Sequence, residues 1–192
     1  MTTAFVLGNG ISRQGIDLGQ LQRHGKIYGC NALYKDFEPD VLVATDRPIA
    51  EQIQHLGYSQ RQRFYTRYPI AGLGAQRIPK KYWGYSSGPV AMALAALDGH
   101  AEIYLLGFDL GPTAHNTFNN IYAGAEFYKS VGAHPTYTGN WRTQIAQVAE
   151  DFPNLMFTRL TGKTTAPVTE LADIKNFKHL AVSQYLEQLN NG

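Results

Sequence analysis

Short apolar, β-rich runs alternate with helix-like segments along the whole chain, and this alternation constrains the fold more than any other feature. The runs predict strands at residues 4–7, 26–30, 40–44, 63–66, 103–107 and 155–160. The segments between them predict helices at residues 16–23, 48–56, 89–98, 141–151 and 179–189. The sequence therefore predicts an α/β, Rossmann-like fold, with a mostly parallel sheet and helices on both faces.

The length and periodicity of the chain indicate one domain, which we expect to span residues 1–192. Two predicted helices carry apolar residues at helical spacing, and we interpret these as core positions that face the sheet. They are Val90, Leu94, Leu97, Trp141, Ile145 and Val148. Residues 110–139 show no sustained period but are rich in Gly, Asn, Thr, Tyr and His. This segment is predicted to be an irregular lid over the carboxyl edge of the sheet.

The composition excludes several classes of protein. The net charge is only +2, so no nucleic-acid partner is expected. The densest basic stretch, residues 61–81, is interpreted as a solvated rim, and attraction of an anionic substrate is the less favoured alternative. The single cysteine, Cys30, cannot form an internal disulfide, and a zinc cluster is excluded. No apolar run approaches the length of about 18 residues expected for a membrane span, and no signal peptide is recognisable. We expect a cytoplasmic protein; its oligomeric state stays open, a homo-oligomer included.

The first predicted strand ends in a glycine-rich turn that contains Gly8, Asn9, Gly10 and Ser12. Such a turn lets backbone N–H groups approach a ligand at the carboxyl edge of a sheet, and the two polar side chains add donors. The other interpretation is a strand-to-helix turn that needs glycine only for its backbone angles. The glycine spacing is not that of a dinucleotide fingerprint, and no P-loop lysine follows, so NAD, FAD and P-loop nucleotide binding are not expected.

The next two strand ends also carry polar side chains. Asn31 follows the second strand, where an amide can bind a ribose or a base edge without adding charge. Asp46 and Arg47 follow the third strand. Capping of the next helix by Thr45 or Asp46 explains this segment as well as a function does. In the functional interpretation, Asp46 is a general base or accepts hydrogen bonds from sugar hydroxyls, and Arg47 binds a phosphate.

Two further segments lie at predicted strand or helix ends. Ser86, Ser87 and Gly88 open a predicted helix, whose free N–H groups and positive dipole end suit a phosphate or a carboxylate. The same residues are also those expected of helix initiation alone. Asp109 follows the fifth predicted strand and could either cap a turn or orient a ligand. No Asp-x-Asp pair occurs, so a metal-bridged diphosphate is not indicated, and neither a metal nor a cofactor is expected.

Four of these segments together resemble the bacterial sialyltransferases that extend lipooligosaccharide, and the related pterin pyrophosphokinase-like fold family. The matching segments are Gly8-Asn9-Gly10-Ile11-Ser12, Cys30-Asn31-Ala32-Leu33-Tyr34, Ser86-Ser87-Gly88 and Ile103-Tyr104-Leu105-Leu106-Gly107-Phe108-Asp109. They span about the first two-thirds of the chain. The specificity of the resemblance lies in their order and spacing, since each segment is short.

The resemblance implies a pocket for a cytidine-monophosphate sugar at the carboxyl edge of the sheet. Asn9, Ser12 and Asn31 would contact the nucleotide. Ser87 and Gly88 would contact the sugar carboxylate, and a lid tyrosine such as Tyr122 would contact the phosphate. His134 is the nearest candidate for the family's catalytic histidine. The chain departs from the family pattern in two places. Asp46 stands where the family has an asparagine, and His134 lies a few residues before the expected position.

The leading hypothesis is a metal-independent, glycosyltransferase-like enzyme with a nucleotide-sugar donor and an unidentified acceptor. In this hypothesis His134, or less favourably Asp46, removes the proton from the acceptor hydroxyl. One alternative is a non-catalytic nucleotide-binding or interaction protein on the same fold. Another is phosphoryl or pyrophosphoryl transfer, as in the pterin-kinase relatives.

Overall fold

The computed structural model describes residues 2–191, and all its strands join one parallel sheet. The strands are β1 (Thr3–Leu7), β2 (Lys26–Cys30), β3 (Val41–Ala44), β4 (Arg63–Thr66), β5 (Gln76–Arg77), β6 (Glu102–Leu106), β7 (Met156–Thr161) and β8 (Phe177–Ala181). Their order across the sheet is β5-β4-β3-β2-β1-β6-β7-β8. The order reverses at β1, which pairs with both β2 and β6. In open α/β sheets, a crevice forms outside the carboxyl ends of the strands at such a reversal.

Helices cover both faces of the sheet, which confirms the predicted fold class. The helices are α1 (Leu18–His24), α2 (Arg47–His55), α3 (Tyr58–Arg61), α4 (Ser87–Leu97), α5 (Gly139–Asp151) and α6 (Val182–Asn191). Alternate residues of each strand point to opposite faces. Val6 of β1 therefore packs in one cluster with α4 and α5, while Phe5 packs in a second cluster with α1, α2 and α6. No helix within residues 2–191 has both the length and the apolar character needed to cross a membrane.

The six predicted strands are confirmed to within about two residues, but three elements are missing from the prediction. These are β5, α3 and β8. The helix predicted from residue 179 is wrong at its start, because His179 lies in β8 and α6 begins at Val182. Strand β8 lies at the edge of the sheet and exposes Lys178 and His179. Charged side chains on an edge strand protect it from pairing with another chain. They also interrupt the apolar pattern by which a strand is recognised in a sequence.

Helix α4 is the central helix of the core and is buried on all sides from Val90 to Ala96. Alanine makes up much of this helix, so it packs closely on β1, β2, β3 and β6. The expectation that Leu97 is a core residue is wrong, because its side chain is 54% exposed at the carboxyl end of the helix. Residues 107–138, between β6 and α5, contain neither a helix nor a strand, as predicted for the lid.

A buried histidine near the start of β6 makes the stability of the fold sensitive to pH. Tyr28 donates its only hydroxyl proton to Asp98 (2.6 Å), so its oxygen accepts from Nε2 of His100 (3.1 Å). His100 is 7% exposed, and its Nδ1 has no hydrogen-bond partner within the described chain. Burial lowers the pKa of His100 below its ordinary value of 6.5, although Asp98 opposes this shift.

We expect the free energy of unfolding to fall as the pH is lowered from 7 to 5. The unfolded chain takes up a proton on this histidine below pH 6.5, whereas the folded chain resists it, so the stability present above pH 6.5 is lost on acidification. Urea unfolding of wild type and His100→Gln, measured from pH 5 to 8, tests this. The slope of the unfolding free energy against pH should be smaller in His100→Gln than in wild type. It should be unchanged in the control His24→Gln, which replaces an exposed histidine. Identical slopes in all three proteins would refute the assignment.

Candidate functional site

A cavity of about 580 Å³ lies at the carboxyl edge of the sheet, at the point where the strand order reverses. The ends of β1, β2, β3, β4 and β6, the start of α4 and the lid contribute to its wall. Most of the residues predicted from strand ends line it together: Gly8, Asn9, Gly10, Asn31, Asp46, Ser86, Ser87, Gly88 and Asp109. The volume suits a nucleotide-sized ligand. Four of the predicted residues are not in its wall: Ser12, Arg47, Tyr122 and His134.

The glycines of the first loop serve close backbone packing, which neither interpretation drawn from the sequence included, since Gly8 and Gly10 do not have a positive φ. A Cβ on Gly8 would lie 2.6 Å from the carbonyl oxygen of Gly107, and a Cβ on Gly10 equally close to the same oxygen. The amides of Gly8 and Gly10 donate to the carbonyls of Leu106 and Gly107, each at 2.8 Å. The loop after β1 is thus bonded to the end of β6, so these two amides are not free to bind a ligand.

Asn9 connects neighbouring strand ends and is fixed by protein partners at both ends of its amide. Its Nδ2 donates to the carbonyl of Cys30 (3.2 Å), and its Oδ1 accepts from the guanidinium of Arg13 (3.3 Å). Arg13 is 6% exposed and also donates to the carbonyl of Gly8 (2.9 Å) and to the hydroxyl of Tyr122 (3.5 Å). Tyr122 therefore lies behind the wall of the cavity, and Asn9 shapes that wall.

Asp109 holds three chain segments together. Its carboxylate accepts from the backbone amide of Ser12 (3.0 Å), from the Ser12 hydroxyl and from the hydroxyl of Thr164 (2.7 Å). Arg159 supports the same segment from below, because its guanidinium donates to the carbonyls of Phe108 and Asp109, at 2.8 and 2.9 Å. Arg159 is 1% exposed, and burial lowers its pKa to about 10. Ser12 and Asp109 are thus bonded to each other.

Asn31 is the predicted residue best placed to meet a ligand. The hydroxyl of Ser87 donates to its Oδ1 (3.0 Å), and the same Ser87 oxygen accepts from the backbone amide of Thr45 (3.0 Å). Because Ser87 uses its only proton on Asn31, the Thr45 hydroxyl donates to Ser87 in turn (3.0 Å). This chain fixes the side-chain amide of Asn31 and leaves its Nδ2 donors for the cavity.

Backbone strain concentrates around this cavity. Four non-glycine residues of the described chain have a positive φ, and three of them line the cavity: Asn31 (52°), Leu110 (54°) and Phe127 (70°). Asparagine tolerates the left-handed region, whereas a leucine or phenylalanine there is strained. Such strain is found at functional sites, where the surrounding structure maintains it.

The segment after β3 exposes one side chain to the cavity and the other to solvent. Asp46 precedes α2 but makes no capping hydrogen bond with its side chain, so the capping interpretation fails for this residue. Its exposed carboxylate lies in the cavity wall. Arg47 instead forms an ion pair with Glu51 (2.7 Å) on the outer surface of α2.

The lid contributes a tyrosine that sequence reasoning missed. Tyr128 lines the cavity, and its hydroxyl oxygen accepts from the backbone amide of Ala32 (3.3 Å), which leaves its own proton free to donate. Burial raises the pKa of Tyr128 to about 12, so this donor persists well above neutral pH. The lid histidines, His115 and His134, are both exposed and lie outside the cavity wall.

The fold and the cavity define a Rossmann-like α/β protein with a ligand-sized crevice at the switch point of its sheet. A similar fold occurs in the sialyltransferase CstII from Campylobacter jejuni, solved in complex with a substrate analogue, cytidine-5'-monophosphate. The alignment covers 100% of both chains at 16% identity, with a TM-score of 0.51. A point mutant of alpha-2,3/8-sialyltransferase CstII aligns over 88% of each chain at 17% identity, with a TM-score of 0.48.

No protein-family model matches the chain, and a comparison with curated protein sequences finds no match either. The structural likeness at 16% identity shows a sialyltransferase-like fold and leaves activity and donor to be tested.

Proposed function

We propose that this protein is a metal-independent, glycosyltransferase-like enzyme that binds a cytidine-nucleotide sugar in the cavity. The observation that carries the proposal is the convergence of polar strand ends on one cavity of about 580 Å³. The cavity lies at the switch point of a sheet whose fold is like that of CstII. Pockets of this size accommodate ligands of the size of a nucleotide sugar.

Three groups would bind the donor through hydrogen bonds. The free Nδ2 donors of Asn31 suit a phosphate oxygen or the carbonyl of a pyrimidine. The free hydroxyl proton of Tyr128 would donate to the phosphate. The start of α4 adds its dipole, and Ser86 makes no side-chain cap bond there, so the backbone N–H groups of Ser87 and Gly88 would face an anion.

In the transfer step, a hydroxyl oxygen of the acceptor forms a bond to the anomeric carbon of the sugar. The bond between that carbon and the phosphate oxygen breaks, and CMP leaves with the electron pair. We assign proton removal from the acceptor to Asp46, the carboxylate in the cavity wall that is not held by a protein donor. Tyr128 and the α4 N-terminus would stabilise the charge that develops on the leaving phosphate.

Isothermal titration calorimetry with CMP, UMP, AMP and Mg-ATP, paired with a CMP-sugar hydrolysis assay in EDTA, tests the proposal. We expect CMP to bind more tightly than UMP and AMP, and the donor to be hydrolysed or transferred in EDTA. Binding of CMP without turnover would favour the non-catalytic alternative. A requirement for magnesium and ATP would favour phosphoryl transfer, and absence of both binding and turnover would refute all three.

We expect Tyr128→Phe to weaken CMP binding by about 5- to 15-fold, since one hydrogen bond to a charged phosphate is lost. Binding of cytidine, which has no phosphate, should not change. Tyr122→Phe is the matched control, because this tyrosine lies six residues earlier in the same lid with its ring 5.7 Å away, but outside the cavity wall. Equal losses for CMP and cytidine, or a larger loss in the control, would contradict the role of Tyr128.

A further inference from the structure

The basic stretch at residues 61–81 contains one arginine that does not belong to a solvated rim. Arg67 follows the last residue of β4 and lines the cavity. Its Nη2 donates to the backbone carbonyl of Tyr85 (2.6 Å), just before the start of α4. This bond fixes the direction of the guanidinium group, so its remaining donors have a defined position.

The charge of Arg67 is left uncompensated by the protein. Its Nε is buried without a hydrogen-bond partner, and within residues 2–191 no carboxylate lies at ion-pair distance from it. By contrast, Arg47, Arg61 and Arg63 each pair with a carboxylate. A buried guanidinium N–H without an acceptor is costly, and a fixed guanidinium is the side chain that best matches the geometry of a carboxylate or phosphate.

The position of Arg67 in the sheet separates it from the base and ribose of the nucleotide. Thr66 pairs with Ala44 across β4 and β3, so Arg67 lies at the β4 end of the cavity. Strand β4 is three strands away from β1, a distance of about 14 Å at the usual spacing. With the base and ribose over the ends of β1 and β2 and the phosphate at the start of α4, the transferred sugar, and the acceptor beyond it, would lie towards Arg67.

We propose that Arg67 is a specificity-determining residue that binds a carboxylate or phosphate group on the sugar or on the acceptor. This inference rests on the proposed function, because it assumes that the nucleotide occupies the β1 and β2 side of the cavity. The anion subsite selects acidic substrates over neutral ones of the same shape. Its remaining Nη donors and the guanidinium charge provide the binding energy, and the carbonyl of Tyr85 provides the orientation.

Two pairs of ligands test the subsite and identify which substrate carries the anion. The donor pair is CMP-N-acetylneuraminate and its carboxyl methyl ester, compared by competition against CMP. The acceptor pair is sialyllactose and its carboxyl methyl ester, compared by transfer rate. We expect wild type to prefer the acidic member of one pair by about 10-fold or more, and Arg67→Gln to abolish that preference. Arg67→Lys, which keeps the charge without the fork, should retain part of it.

The matched control is Arg47→Gln, an arginine exposed on α2 outside the cavity wall, which should keep the full preference. The affinity for cytidine, which has no phosphate, should be the same in wild type and Arg67→Gln, and loss of CMP binding by wild type would mark failure of the proposed function instead. Equal use of acidic and neutral ligands by wild type, or a preference that survives in a folded Arg67→Gln, overturns the subsite. If Arg67→Gln does not fold, Arg67→Lys replaces it as the test. An unchanged preference for the acidic ligand in Arg67→Lys would then show that the planar guanidinium group is not the basis of that preference.

Discussion

Asp46→Asn is expected to lower sugar-transfer turnover by about 10²–10⁴-fold, the usual contribution of a well-placed general base. The carboxylate lies in the cavity wall and is free of protein hydrogen bonds, so its removal should take away the proton acceptor and little else. Asparagine is a good helix cap and has nearly the size of aspartate, so the fold and CMP affinity should be retained. Turnover and CMP binding measured on the same preparation separate the two effects.

His134→Ala is the control for this substitution. Its exposed side chain lies outside the cavity wall, so we expect turnover close to that of wild type. The reverse pattern, with turnover lost in His134→Ala and kept in Asp46→Asn, would contradict the assignment of Asp46. It would instead favour His134 as the general base, the role that the resemblance to sialyltransferases implies.

Gly107→Ala is expected to destabilise the fold by about 2–4 kcal/mol, from two separate causes. The residue has a φ of +75°, which alanine adopts only at a cost. Its new Cβ would also lie 2.6 Å from the carbonyl oxygen of Gly8. The loops after β1 and β6 would have to separate, and the two backbone hydrogen bonds between them would weaken. Because both loops line the cavity, CMP binding should fall as well.

Two matched glycines separate these causes. Gly99 has a φ of +86°, but nothing lies within 4 Å of the position that a Cβ would take, so Gly99→Ala should cost only the strain of about 1 kcal/mol. Gly8 has no positive φ, but a Cβ added there would lie 2.6 Å from the carbonyl oxygen of Gly107. Gly8→Ala should therefore show the cost of the steric clash alone. Urea unfolding of the three variants measures each cost. Equal losses in Gly107→Ala and Gly99→Ala would show that the close backbone approach contributes nothing.

The strands and helices of the core could be predicted because their patterns are local. Strand β1 is an unbroken apolar run, and α4 is an apolar segment bounded by Pro89 and Gly99. Strand β5 has only two residues, and β8 carries charges on an exposed edge, so neither has a hydrophobic pattern to detect. Tertiary pairing alone defines them.

The candidate site could be predicted only as far as one rule allows, namely that the ends of parallel strands meet at one edge of a sheet. That rule found Asn31 and Asp109, and it could have found Arg67, which directly follows β4. It could not find Arg13, because no sequence signal shows that an arginine is buried against backbone carbonyls. Nor could it choose Tyr128 over Tyr122, since the lid lacks a regular period and its tertiary contacts decide which hydroxyl reaches the cavity.

The bond between Ser12 and Asp109 shows why a residue type and a position do not define a role. Both side chains are polar and lie at strand ends, as a ligand-binding interpretation requires. In the structure they bind each other, and Thr164 completes the set. The groups left for a ligand are those whose protein partners are incomplete, namely Asn31, Asp46, Arg67 and Tyr128.

A crystal structure of the protein grown with saturating CMP is the most direct measurement of the central claim. We expect the nucleotide to lie across the ends of β1 and β2, with its phosphate within hydrogen-bond distance of the Tyr128 hydroxyl and facing the start of α4. CMP bound at another surface, or a cavity that stays without nucleotide, would contradict the claim.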